Sequence, residues 1–421
     1  MLAARQHNVL YLVLAMIRPV PILTLIVILA GIVNAQELRL PAKVDLAAEF
    51  GKLGIPPLSQ GGRNTCSLFA VAGIADFERA RSGAGGERLS VEFLTWAANE
   101  AAGLRGDQAM FYEAVHGLNT LGICSAEQMP YEPAGDARRR PNERSLSDAK
   151  KLSASWQVQW IKRWDVTRGL AEPELLAIKN ALASGHPVAC GLRWPKRTKG
   201  AEIRDVPPPE QVFDGHSIVF TGYEDDAANS QDGLLQFRNS AGEQWGNKGY
   251  GVMSYSYARA YANDAFWLRL GEPGSETPLE RFEAESMTVV SQTNCEASPQ
   301  RLGRRRQSMW SQGTHLLCQA QEGGSIDLAI HAAKAGRYRL RILATAAPDF
   351  GTIRASLDGK ALPGDFDLYS GRLSPAGSLE LGEHELAAGE HRIALAVAGK
   401  NAASTNYWFG LDAIDLLTPS K

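Results

Sequence analysis

Cysteine is scarce in this chain, five in 421 residues, and the number is odd. Complete pairing within the chain is thereby excluded, and at least one thiol is left free or shared with another chain. An excess of charge of either sign is also missing: 44 Lys plus Arg stand against 46 Asp plus Glu, a formal net charge of -2. That balance gives no global pull toward nucleic acid or an anionic lipid surface, and nucleic acid is not an expected partner. Two arginine runs, Arg138 to Arg140 and Arg304 to Arg306, are local exceptions that read as solvated loop charge. There is no repeat of solenoid period and no low-complexity tract. The length nevertheless allows two or three domains, each with its own core.

The long apolar run stands at the N-terminus. From Met16, "MIRPVPILTLIVILAGIVNAQ" has a basic residue, an apolar stretch from Ile22 to Val33, and a small-residue end at Val33-Asn34-Ala35. This reads as a secretory signal, residues 1–35, cut after Ala35, so the protein is expected to be secreted, periplasmic or extracellular, without stable membrane insertion once the signal is removed. No cysteine follows the cut, which argues against a lipid anchor there. Export permits structural disulfides. Cys66 is the candidate for the odd thiol.

Behind the signal, Leu38 to Pro57 reads as an extended lead-in. From Cys66 to Arg81 the residues Leu68, Phe69, Ala72, Ala75 and Ala80 recur at three-to-four spacing, with Asp76, Glu78 and Arg79 toward the other side. The pattern predicts an amphipathic helix starting at the cysteine, with Thr65 as its cap. Helices around Ser90 to Ala102 and Gln108 to Leu121 follow, with Ser90 as a cap, then a charged loop from Pro133 to Lys150. Beyond a helix at Glu172 to Ser184, the strands Pro187–Trp194, Ser217–Glu224, Leu234–Ser240 and Tyr250–Tyr257 are predicted. Helices first and strands later imply an α+β unit, residues 36–270, whose two halves face each other across a cleft. A Gly/Pro/Glu linker at 271–278 leads to residues 279–421, where period-two alternation predicts an all-β jelly-roll sandwich. Cys295 and Cys318 are expected to form a disulfide.

A cysteine at a helix N-terminus meets unsatisfied amides, which favour thiolate and lower the thiol pKa. Nucleophilic chemistry then needs a base and a group to orient it. His216 follows Asp214-Gly215 at the start of an apolar strand, where it can project into the cleft. Asn239 ends another strand, where it can accept from one imidazole nitrogen and leave the other toward sulfur. Gln60, six residues before Cys66, can donate to an oxyanion together with the Cys66 backbone N–H.

In this order and these local contexts, residues from about 40 to 270 resemble a papain-like cysteine peptidase. The resemblance assigns Gln60 to the oxyanion hole, Cys66 as nucleophile, His216 as general base and then acid, and Asn239 as imidazole orienter. It implies a protein or peptide substrate and no cofactor for catalysis. The family's usual Cys-Gly-Ser-Cys-Trp reads Arg63-Asn64-Thr65-Cys66-Ser67 here, so the first cysteine with its disulfide and the tryptophan are absent. Its Asn-Ser-Trp reads Asn239-Ser240-Ala241, without the indole that shields the His/Asn bond, although Trp245 remains. If Cys124 and Cys190 pair, that bond ties the two halves. Only Gln36 to about Arg39 separate the cut from the family's mature start, which leaves no room for an inhibitory propeptide.

Residues 279–421 resemble carbohydrate-binding modules of the galactose-binding-like type, through "RFEAES" and "WFGLDAIDLL". That resemblance implies a glycan or cell-surface polysaccharide as partner and a structural calcium on Glu283, Glu285 and Asp412. Tyr369, Trp310, Tyr407 and Trp408 are candidates to stack on sugar rings. The reading as a whole is a secreted cysteine endopeptidase with a surface-binding module. The alternative is a catalytically silent papain-like fold that serves binding or glycan recognition.

Overall fold

The computed structural model describes residues 40–136, 138–150, 156–197, 200–225, 233–271, 278–303 and 307–419. The signal segment, linker residues 272–277 and Arg304 to Arg306 lie outside the described residues. The lead-in forms strand β1 (Lys43–Asp45) and helix α1 (Ala47–Lys52), followed by helices α2 (Cys66–Arg81), α3 (Val91–Ala102) and α4 (Phe111–Leu121). Helix α2 begins on the cysteine itself. Ser90 caps α3 by accepting from the Phe93 N–H at 2.9 Å, whereas Thr65 makes no cap, because its hydroxyl is engaged by the Tyr131 hydroxyl at 2.8 Å. Nor is α2 amphipathic: Asp76 and Glu78, expected on a polar side, are each only 4% exposed. They are tolerated inside because they are paired. Asp76 accepts from Arg88 at 2.6 Å and from the Leu89 N–H at 2.7 Å, and Glu78 meets His186 Nδ1 at 2.8 Å.

The charged segment expected as loop contains helix α5 (Glu143–Lys150), started by the Asn142 side chain accepting from the Ser145 N–H. Strand β2 (Trp156–Lys162), helix α6 (Glu172–Ala183) and strands β3 (Val188–Pro195), β4 (Glu202–Ile203), β5 (Val212–Glu224), β6 (Leu234–Arg238) and β7 (Tyr250–Ser254) follow, then helix α7 (Tyr255–Tyr261) and β8 (Ala262–Leu270). The sheet runs β2-β8-β3-β5-β6-β7-β4, with β1 beside β5. All its neighbours are antiparallel except β4 and β7. Two large apolar cores and a smaller one around Phe93, Cys124 and Met129 result. Of the large ones, one gathers Phe50, Leu68, Phe77, Leu94 and Phe111 around α2, and the other packs Leu175, Phe220, Phe237 and Tyr257 against the sheet. Helix α2 lies against β5, β8 and β3, so the helix that opens on Cys66 is braced by both halves.

The C-terminal region has strands β9 (Glu280–Glu283), β10 (Val289–Arg301), β11 (Thr314–Ala332), β12 (Gly336–Ala346), β13 (Thr352–Leu357), β14 (Lys360–Asp367), β15 (Ser374–Leu386), β16 (Gly389–Gly399) and β17 (Phe409–Leu417). They pair in the order β14-β13-β16-β11-β17-β12-β15, with β10 on β11 and β9 on β17, all antiparallel. The expected Cys295–Cys318 disulfide is not formed. Cys295 faces Ala320 and Cys318 faces Ala297, so the two cysteines are diagonal neighbours; they stand as free thiols whose side chains are hydrogen-bonded to one another. Cys124 and Cys190 do not pair either, being buried in different apolar clusters. All five thiols are free. Of the aromatic candidates for sugar stacking, Trp310 and Tyr369 are buried at 4% and 8% exposure, whereas Tyr407 and Trp408 are half-buried against the module's core.

Candidate active site

The site forms where the first turn of α2 meets the β3–β5 pair. Strand β5 begins at Val212, upstream of the expected strand, so His216 lies inside it. Opposite β3, Leu192 pairs with His216 but Trp194 pairs with Phe213. One extra residue is therefore accommodated just before the histidine, with Gly215 at φ 95°, a conformation that glycine adopts without a Cβ penalty. Such a bulge bends the strand and re-aims the side chain that follows. It also turns the Gly215 carbonyl toward Cys66, whose Sγ lies 3.8 Å away.

His216 Nε2 donates to Asn239 Oδ1 at 2.8 Å, which leaves Nδ1 as the nitrogen available to sulfur. Asn239 is itself fixed: its N–H donates to the Gly249 carbonyl at 2.9 Å, and its Oδ1 also accepts from the Ser240 N–H at 2.8 Å. Gln60 sits on a short ladder that joins the two loops. Its N–H donates to the Ser240 carbonyl at 2.9 Å, Ser59 bridges Ala241, and the Gly242 N–H donates to the Leu58 carbonyl. The Gln60 side chain accepts from Ser240 Oγ at 2.5 Å and donates one Nε2 hydrogen to the Arg63 carbonyl at 2.7 Å. An amide nitrogen carries two hydrogens, so a second remains for an oxyanion.

Burial opposes the helix-end effect expected at Cys66. Desolvation pushes the thiol above its ordinary value. Hydrogen bonds from the Ser217 N–H and hydroxyl, and from the amides of Ser67 and Cys66, only partly offset this. The same burial pushes the His216 imidazole below its ordinary value, against the Asn239 hydrogen bond. The reason is common to both: a thiolate or an imidazolium formed alone loses water that few dipoles replace.

The structure thus brings Cys66, His216, Asn239 and Gln60 to one place. Sequence reasoning missed the residues that support them. Trp194 lies edge-on to His216, with ring centroids 4.5 Å apart at 71°, and neighbours Phe237 and Trp245. An indole therefore covers the imidazole although Ala241, not tryptophan, stands two residues after Asn239. Arg63, Tyr131 and Ser240 hold Gln60, and nothing local in sequence marks them. In the C-terminal region Ser311 bridges Glu283 and Asp412, donating through its hydroxyl and its N–H respectively. Among the described residues, no group of three or more His, Cys, Asp or Glu side chains is arranged to hold a metal ion.

No protein-family model matches the chain. It is 28% identical over 160 residues to an uncharacterized peptidase C1-like protein of Acanthamoeba polyphaga mimivirus, a match that covers 36% of this chain. The chain spans about half, 48%, of that relative's length. Among solved structures it is similar to xylellain, a cysteine protease from Xylella fastidiosa, at TM-score 0.47 and 22% identity over 55% of this chain and 87% of the other. It is also similar to digestive procathepsin L 3 of Tenebrio molitor larval midgut, at TM-score 0.42 and 22% identity over 56% and 72% of the two chains.

Proposed function

We propose that this chain is a papain-like cysteine endopeptidase that is exported and carries a C-terminal module for a glycan or another surface. The observation that supports the activity most directly is the 2.8 Å bond from His216 Nε2 to Asn239 Oδ1, beside a cysteine that opens a helix. In the proposed reaction the Cys66 thiol proton passes to His216 Nδ1 as sulfur attacks the peptide carbonyl carbon. The Cys66 N–H and the second Gln60 Nε2 hydrogen hold the resulting oxyanion. The imidazolium then protonates the leaving amine as the C–N bond breaks, and water, deprotonated by the same imidazole, hydrolyses the thioester and regenerates the thiol. Pairwise proton transfer suits two groups that burial disfavours as separate ions.

The raised thiol supports the competing reading, a silent fold used for binding. Active-site titration separates the two. Protein lacking residues 1–35 is treated with a broad epoxide inactivator of cysteine peptidases and read by intact mass. One stoichiometric adduct, absent from Cys66→Ala and strongly reduced in His216→Ala, is expected. Folded, reduced protein that takes no adduct would sink the peptidase reading.

A calcium ion on Glu283, Glu285 and Asp412 remains a proposal. In its favour, Glu283 Oε2 and Glu285 Oε2 are buried without hydrogen-bond partners. Burial first, and then the neighbouring carboxylates, push the Asp412 carboxyl up to about 8. Hard oxygen ligands suit this ion, which would draw the three together. Millimolar calcium is expected to raise the melting temperature of the parent and not of Asp412→Asn; equal melting with calcium and with chelator would discard the site.

A further inference from the structure

Arg63 stands three residues before the nucleophile, where the resembling family has a disulfide-bonded cysteine, yet its guanidinium is turned inward and only 7% exposed. Nε and one terminal nitrogen reach the two oxygens of Asp107 at 3.0 and 2.7 Å. The other terminal nitrogen donates to Glu92 at 2.6 Å and to the Glu132 carbonyl at 2.9 Å. The Tyr131 ring lies 4.8 Å from the guanidinium carbon. Tyr131 then returns to the same loop, its hydroxyl donating to the Gln60 carbonyl at 2.7 Å while engaging Thr65 Oγ1. The backbone of Arg63 closes the circuit, since its carbonyl accepts the Gln60 side-chain amide.

Three stretches distant in sequence therefore converge on one cation: Glu92 in α3, Asp107 in the loop before α4, and Tyr131–Glu132. A two-pronged guanidinium–carboxylate pair fixes orientation as well as distance, which a lysine ammonium does not. Glu92 is 2% exposed and lies on the first turn of α3, so the anchor is attached to the helical core.

Taking the peptidase reading as its basis, we infer that Arg63 is a positioning residue for the oxyanion hole. It fastens the loop from Gln60 to Thr65 to α3 and to the loop carrying Asp107, performing by buried charge what a disulfide performs in the family. The geometry of the hole is consequently independent of thiol redox state, in keeping with five free cysteines.

The test compares the full chain with Asp107→Asn and Arg63→Lys by three readouts. Amide hydrogen exchange over residues 58–66 reports the loop. Acylation of Cys66 by a peptide ester requires an oxyanion hole, whereas alkylation by iodoacetamide requires only the nucleophile. Misplacing a donor by a fraction of an ångström to about 1 Å costs about 10–100-fold. The expected result is at least tenfold faster exchange in the loop and about 10–100-fold slower acylation, with alkylation within about twofold of the parent. Asp107→Asn carries the test if Arg63→Lys does not fold, because Asp107 is one-fifth exposed and the substitution retains its shape. Unchanged loop exchange in folded Asp107→Asn would overturn the inference, as would acylation and alkylation falling in step. A parent that alkylates at Cys66 but accepts no acyl group would instead defeat the peptidase reading, and the exchange readout would still decide the role of Arg63.

Discussion

Trp194 shows how a side chain absent from a local motif can be supplied from elsewhere in the fold. Sequence alone reports Ala241 where an indole is expected, and it cannot report that a residue forty-seven positions earlier lies on the imidazole, because that contact depends on the β3–β5 register. Cys66, His216, Asn239 and Gln60 were legible as candidates because each has a distinctive local setting: a helix start, a glycine before a strand, a strand end, a polar loop. Arg63 was not, since a buried arginine and a solvated one look alike until their partners are known. An edge-to-face contact of this kind is worth about 0.5–1.5 kcal/mol, so Trp194→Ala is expected to lower kcat/KM two- to tenfold, by about that energy. It should also admit water to the ring, and because burial holds His216 low, its pKa should move up. Histidine NMR titration in a Cys66→Ala background checks the direction, and an unmoved or lowered value would show that Trp194 does not desolvate the ring.

Among elements, the failures share a cause. Tyr250–Tyr257 reads as one β-strand on residue preference, yet it divides at Ser254, whose hydroxyl accepts from the Tyr257 N–H at 3.1 Å and starts α7. A cap and tertiary packing outweigh the weak strand preference of tyrosine. Helix α2 shows the converse: its extent was readable, but its surroundings were not, because Arg88 and His186 neutralise its polar side from other elements. Strand β11 supplies a measurable consequence. His315 on it is fully buried, with Nδ1 at 2.8 Å from Thr345 Oγ1 and Nε2 at 2.8 Å from Gln300 Oε1. Burial depresses the imidazole to about 4. The unfolded chain binds a proton near 6.5 that the folded chain refuses, so this contribution is complete above about 6.5 and is lost as pH falls toward about 4. The gap corresponds to about 3 kcal/mol of stability. Denaturation between those pH values should therefore show a shallower pH slope for His315→Gln than for the parent; equal slopes would reject the assignment.

At the scale of the molecule, helices followed by strands and then a long period-two alternation point to two separate sheets, as found, but no pattern could announce the seam between them. From Ala42 to Lys421 the chain forms one compact unit. Arg163 donates to the carbonyls of Asp367 and Ala376, the Gly371 N–H donates to the Trp164 carbonyl, and Arg372 reaches the Tyr112 hydroxyl at 2.7 Å while lying over Trp164. On another rim His116 and the Ala101 carbonyl hold Ser308, and Leu302, Met309 and Trp310 pack with Ala102 and Tyr112. A cavity of about 710 Å³ lies within the junction, lined by Trp156, Gln159, Arg339 and Glu380 among others. Most of these bonds use main-chain carbonyls, which are indifferent to the identity of the residue that bears them and therefore invisible in its letter.

That junction decides how the chain could work at a surface. A catalytic unit on a slack tether sweeps a volume and cuts whatever drifts within range. Here the attachment is a bracket, bonded on separate rims around a cavity, so under the proposed function whatever the C-terminal region binds would meet the Cys66 site at a constant bearing. Under the proposed function, cutting would be confined to bonds at one height above the foothold, and the choice of target would belong as much to where the molecule stands as to the side chains it reads.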